Sequence, residues 1–198
     1  MNTQALWQLP WQRLRLLGLV ALALLQLAVP VSMIQARENV LQQGKAFRIQ
    51  TLPVDPYDLF RGRYVALNPE NPLCPHPGTE IKQGQWAYAS LETAPDGFVR
   101  CSALSLQPPQ DRTGYLRLRV TSTRQTEVSL DWPFDRFYLE EPLAPAAEDA
   151  YRQMSAEDKA WIEVRVYKGR GVLAQLYLNE MPLRDYLLQL PAAQPVAD

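Results

Sequence analysis

From Leu16 to Ile34 the chain reads LLGLVALALLQLAVPVSMI, nineteen residues without a formal charge. At about 1.5 Å per residue, a helix of that length comes close to spanning a bilayer core of roughly 30 Å. Gln26 and Pro30 weaken the run, but single polar and proline residues are tolerated in a spanning helix. Arg13 and Arg15 precede it, whereas Arg37, Glu38 and Lys45 give the other flank mixed charge. The positive-inside bias therefore places residues 1–15 in the cytoplasm and everything after Arg37 outside it. A cleaved signal peptide is the alternative. Its apolar region would be long for that role, and Ile34-Gln35-Ala36 is a poor cleavage site. Trp7 and Trp11, before the span, suit a retained interfacial anchor. The expectation is a single-pass cell-membrane protein with a signal-anchor helix over 16–34. An extracytoplasmic, periplasmic domain over 38–190 follows, with a flexible tail over 191–198.

The exported part is long enough for one domain with a hydrophobic core of its own. A formal net charge of −1 and a pI near 5.9 leave no basic footprint, so nucleic acid is not an expected partner. Seventeen prolines against nine glycines argue for many turns and strand stops rather than long helices. Period-two alternation supports that reading. Leu116, Leu118 and Val120 share one face of YLRLRV, while Tyr115, Arg117 and Arg119 take the other. Val128 and Leu130 oppose Glu127, Ser129 and Asp131, so the two segments read as a half-solvated antiparallel hairpin with Arg117 or Arg119 opposite Glu127 or Asp131.

Further strands are expected around Ala46–Leu52, Gln85–Glu92 and Gly97–Leu106. A closing hairpin follows, in which Ile162, Val164 and Val166 lead through a Lys168–Gly171 turn to Val172, Ala174, Leu176 and Leu178. Residues 68–79, with four prolines, read as irregular. One soluble helix is expected over Pro145–Met154, where Pro145 suits the first position and Ala147, Ala150, Tyr151 and Met154 form an apolar stripe. The fold class is mainly β: an antiparallel exported domain of about eight strands, which two packed sheets would accommodate, with one short helix.

The two cysteines, Cys74 in the proline-rich loop and Cys101 in an apparent strand, are candidates for a disulfide in an oxidising compartment. Closing that loop is worth about 3 kcal/mol in the chain-entropy model. Cys74, His76 and Cys101 would still lack a fourth zinc ligand and have none of the usual paired spacing, so no metal and no cofactor is expected. His76, the lone histidine, reads as a solvated loop residue.

The segment PVDPYDLFRGRYVALN, Pro53 to Asn68, has the grammar of a helix start feeding a strand. Asp55 can cap free backbone donors, Pro56 fits the first turn, and Asp58 adds negative charge at the helix N-terminus. Gly62 is placed to release the turn into RYVAL. That architecture accounts for Asp55, Pro56, Asp58 and Gly62, and leaves Arg61, Arg63 and Tyr64 as candidate contact residues.

PVDPYDLFRGRYVAL is similar to the signature of the GDYXXLXY family, in which a PVDPRDLLRGDYV-like segment follows one N-terminal span. Pro53, Val54, Asp55, Pro56, Asp58, Leu59, Arg61, Gly62, Tyr64, Val65 and Leu67 match, and RFYLEE and the closing hairpin sit where that family would have them. The resemblance covers most of residues 13–180. Two positions depart: the family's aspartate after the glycine is Arg63 here, and its final tyrosine is Pro69. A role needing either side chain does not carry over. The resemblance implies a membrane-anchored protein of uncharacterised function, associated with polytopic membrane proteins, and it supplies no catalytic residues.

Three functional classes follow. The first is a non-catalytic accessory or binding module, docking on an integral membrane partner. The second is a membrane-bound hydrolase, since Ser32-Met33 at the end of the span resembles the nucleophile segment of signal peptidases, which use a lysine base. None of Lys45, Lys82, Lys159 and Lys168 sits in that family's basic motif, however, and Ser32 falls within the helix. Asp55 and Asp58 as an acid–base pair compete with their capping role. The third is a purely structural envelope protein.

Overall fold

The computed structural model describes residues 8–52, 64–140, 143, 146–147, 150 and 159–189. It separates into two compact units, Met1–Asn39 and Val40–Asp198. The first unit consists of α1 (Gln8–Gln43), whose last turn already belongs to the second. Every residue from 13 to 35 is exposed, although the run is almost wholly apolar. Pro30 removes one helical donor, and the Ser32 hydroxyl donates to the Val29 carbonyl at 2.7 Å. The helix is long and apolar enough to cross a membrane.

Among the described residues the second unit holds twelve strands in three sheets. This corrects the expectation of about eight strands in two sheets. One five-stranded sheet is built on the closing hairpin, β10 (Ala160–Tyr167) and β11 (Arg170–Leu178), extended on one side by β1 (Lys45–Leu52) and β3 (Asn68–Pro69) and on the other by β12 (Met181–Pro182). A second five-stranded sheet runs in the order β4 (Leu73–Pro75), β8 (Glu127–Asp131), β7 (Tyr115–Thr123), β5 (Trp86–Thr93), β6 (Val99–Ser105). The third is a ribbon of β2 (Tyr64–Ala66) and β9 (Arg136–Tyr138).

The strands that alternation marks, β1, β5, β6, β7, β8, β10 and β11, are the long ones. The additions β3, β4, β9 and β12 are two or three residues each, too short to show a period. Two of them lie inside the segment expected to be irregular. Pro69 and Pro75 occupy their ends, where a strand bonded on one side tolerates a missing donor. A short helix, α2 (Leu183–Gln189), follows β12 and buries Leu183 and Leu187, one turn apart, a helix the alternation pattern did not mark. The helix expected over Pro145–Met154 lies almost entirely outside the described residues.

The two large sheets share one core. Phe47 and Ile49 from β1, Ile162, Val164 and Val166 from β10, and Leu176 and Leu178 from β11 cluster with Ala87, Ala89, Leu91, Leu116, Leu118, Val120, Val128 and Leu130 of the other sheet. The sheets meet at a corner where the β10–β11 turn bridges β7: Arg117 N donates to Gly169 O at 2.9 Å. Gly169 takes φ +74° there, and a Cβ on Gly171 would stand 2.6 Å from the Phe134 ring. Arg119 does face Asp131 in register, yet its Nε donates to the Gly84 carbonyl at 3.3 Å.

The second sheet curls until its edge strands, β4 and β6, lie side by side without pairing. A disulfide between Cys74 and Cys101 crosses that seam, with a Cα–Cα distance of 5.0 Å and a sequence separation of 27. Cys74 is fully buried in the core. Replacing both cysteines by alanine should lower stability by about 3 kcal/mol, or roughly 6–12 °C in melting temperature for a chain this size, read by calorimetry with and without reductant. Reductant should shift the wild type and leave the double variant unmoved.

Candidate functional site

The residues singled out in the Pro53–Asn68 segment divide at the boundary of the described structure. Asp55, Pro56, Asp58, Arg61, Gly62 and Arg63 lie outside it, whereas Tyr64 opens β2. There the second resembling segment, RFYLEE, comes to meet the first. β2 pairs antiparallel with β9 in the register Tyr64↔Tyr138, Val65↔Phe137, Ala66↔Arg136, and Leu67 N extends the contact to Asp135 O at 2.9 Å.

Strand alternation then sorts the side chains. Val65 is buried and Phe137 packs against the core, so Tyr64, Tyr138 and Arg136 take the outward face. The tyrosine rings meet edge to face at 5.9 Å and 60°. The Arg136 guanidinium lies 5.1 Å from the centroid of Tyr64 and also pairs with Asp135 at 3.4 Å. Tyr138 is 68% exposed. Tyr64 is half-buried.

Tyrosine offers flat, amphipathic contact area with little rotamer entropy to lose, and tyrosine and arginine are both enriched in binding hot spots. Sequence reasoning reached Tyr64 and missed Arg136 and Tyr138. The signal was the apolar Phe137 between two residues able to face outward.

Other candidates find structural employment. The disulfide occupies both thiols of Cys74 and Cys101, leaving neither as a thiolate ligand for zinc. His76 accepts from the Gly78 amide at 3.1 Å through Nδ1 and so holds its own turn. Ser32 donates its hydroxyl back to the helix. Among the described residues no group of three histidine, cysteine or acidic side chains stands together as a metal site.

Pattern reading also left unmarked a second aromatic assembly, on the outer face of the β1–β10–β11 sheet. Trp161 stacks on Tyr177 with centroids 3.8 Å apart and planes 4° from parallel, and Arg48 sits 4.4 Å from the Trp161 ring. Arg165 pairs with Glu163 at 2.9 Å beside them, and Arg48 with Glu180 at 3.5 Å. The Trp161 indole N–H is buried without a hydrogen-bond partner. Burial first, then the nearby Glu163 carboxylate, pushes the Tyr177 phenol above its ordinary range.

Since folding raises that pKa, it favours the protonated phenol. The contribution is complete below the free phenol's value of about 10 and is lost as pH climbs through the folded-state value. Melting temperature measured from neutral pH to strongly alkaline pH should therefore fall more steeply above pH 10 in the wild type than in Tyr177→Phe. Parallel curves would remove this role.

A protein-family model described as GDYXXLXY protein matches residues 26–176, a span that contains both strands of the ribbon. No curated protein and no solved structure matches the chain.

Proposed function

The chain belongs to the GDYXXLXY family, and from that premise we propose that it is a single-pass, membrane-anchored binding module that docks on an integral membrane protein. In this reading α1 is retained as the anchor. Arg13 and Arg15 hold its start in the cytoplasm, and the β-rich unit stands on the periplasmic side. The observation that carries the proposal is the outward Tyr64–Tyr138–Arg136 cluster on β2 and β9. Two segments that carry the family resemblance, far apart in the chain, converge there on an exposed surface. A purely structural role asks for no such outward pair of rings, with Tyr64 half-buried and Tyr138 exposed. Arg61 and Arg63 precede Tyr64 directly in sequence and are proposed to belong to the same contact surface. Asp55, Pro56, Asp58 and Gly62 keep the architectural role proposed for them.

A hydrolytic reading has less to work with, because the Ser32 hydroxyl is engaged by Val29 one helical turn back. The test is quantitative co-purification of the full chain from detergent-solubilised membranes, comparing wild type, Tyr138→Ala, Arg136→Ala and Arg61→Ala. Truncating a hot-spot side chain typically costs 2 kcal/mol or more, so Tyr138→Ala should weaken capture of the partner by roughly thirty-fold at an unchanged melting temperature. Equal capture by all four proteins would overturn the assignment of this surface. Loss of an exported-peptide cleavage activity in Ser32→Ala would instead favour the hydrolase.

A further inference from the structure

The end of the β-rich unit at which the chain enters carries a group of cations that neither the family nor the ribbon explains. Gly44 N caps back on Val40 O at 2.9 Å, and Lys45 then opens β1 opposite Val166 of β10. Two residues further along β10 the strand turns over at Lys168 and Gly169 into Arg170, and Lys168 N donates to Arg112 O in the β6–β7 connection. Lys45, Arg112, Lys168 and Arg170 thus converge from three separate parts of the chain, and all four are exposed.

Their neighbours offset them only in part: Lys45 and Lys168 lie 5.1 Å from the ring centroids of Phe47 and Tyr167, which leaves their charge in place. Arg165, also at this end, is already neutralised by Glu163 at 2.9 Å. Among the described residues Asp111 is an acidic neighbour, and its charge and that of Lys45 attract. Its carboxylate is turned into its own loop, accepting from Thr113 N at 2.9 Å and from the Thr113 hydroxyl at 3.1 Å. Among the described residues, none of the four cations forms a salt bridge. The chain as a whole has a net charge of −1, so this local excess is not a reflection of composition.

We propose that this basic rim faces the bilayer from which the chain emerges and binds the anionic phosphates of its lipid headgroups. The inference rests on α1 being a retained anchor. The nine residues from Gln35 to Gln43 carry the chain about 14 Å past the apolar run if helical. Headgroups occupy roughly 5–8 Å on each side of the hydrocarbon, and long basic side chains reach across the difference. Each cation within a Debye length of roughly 8 Å of an anionic surface adds about a five-fold preference for it.

The test uses the full chain reconstituted in nanodiscs of phosphatidylcholine alone and of phosphatidylcholine mixed with phosphatidylglycerol. Hydrogen exchange is followed in the 111–114 loop and the 168–170 turn. Exchange there should slow several-fold in the anionic discs, and the slowing should vanish at high salt and in Arg112→Glu/Lys168→Glu. Adding inorganic phosphate to the neutral discs should reproduce none of it. Equal exchange in both lipids, protection retained by the charge-reversed variant, or protection produced by free phosphate would each overturn the rim. Flotation separates this from the anchor reading: a chain that fails to float with either vesicle refutes the anchor. One that floats with both but shows no lipid-dependent protection refutes the rim alone.

Discussion

The covalent link between Cys74 and Cys101 is the constraint around which the β-rich unit is organised. It joins the first and last strands of a five-stranded sheet. A sheet whose edges approach without pairing has backbone donors and acceptors on both edges and a natural twist that need not bring them together. The disulfide holds the edges in place, and the curl it maintains gives the buried residues of β5, β7 and β8 a concave face. Those residues pack with the buried residues of β1, β10 and β11 in one continuous core.

The corner between the two sheets depends on the absence of side chains. Gly169 accepts a left-handed turn, and Gly171 lets β11 approach Phe134 and Leu116 more closely than any Cβ would allow. From this packing the β2–β9 ribbon inherits its geometry. Val65 and Phe137 are drawn toward the core, and alternation then obliges Tyr64, Arg136 and Tyr138 to face outward. The outward aromatic cluster follows directly from burial on the opposite face. The stack of Arg48, Trp161 and Tyr177 arises in the same way on the outer side of another sheet, but its rings are spent on one another rather than presented.

Much of this was legible in the chain. The apolar run from Leu16 to Ile34 announces a helix long and apolar enough to cross a membrane, and the alternation in YLRLRV, EVSLDW and WIEVRVY marks strands with one face buried. These signals survive folding because they are local: a strand of eight or nine residues repeats its pattern several times. The strands β3, β4, β9 and β12 carry no such repetition and exist because longer neighbours offer them a partner. Tyr64 was reachable through its motif, whereas Arg136 and Tyr138 had meaning only once RFYLEE was seen lying against RYVAL.

The sequence by itself determined the membrane-capable helix, the antiparallel character of the rest and the residues that line its core, because hydrophobic periodicity is written one residue at a time. Only the tertiary structure decided that the second sheet closes on itself across the Cys74–Cys101 seam and that two distant motif segments form one ribbon. It also decided that Lys45, Arg112, Lys168 and Arg170 share one end of the unit. The physical reason is common to all three. Each joins positions far apart along the chain, and which distant partners meet is settled by how the whole core packs.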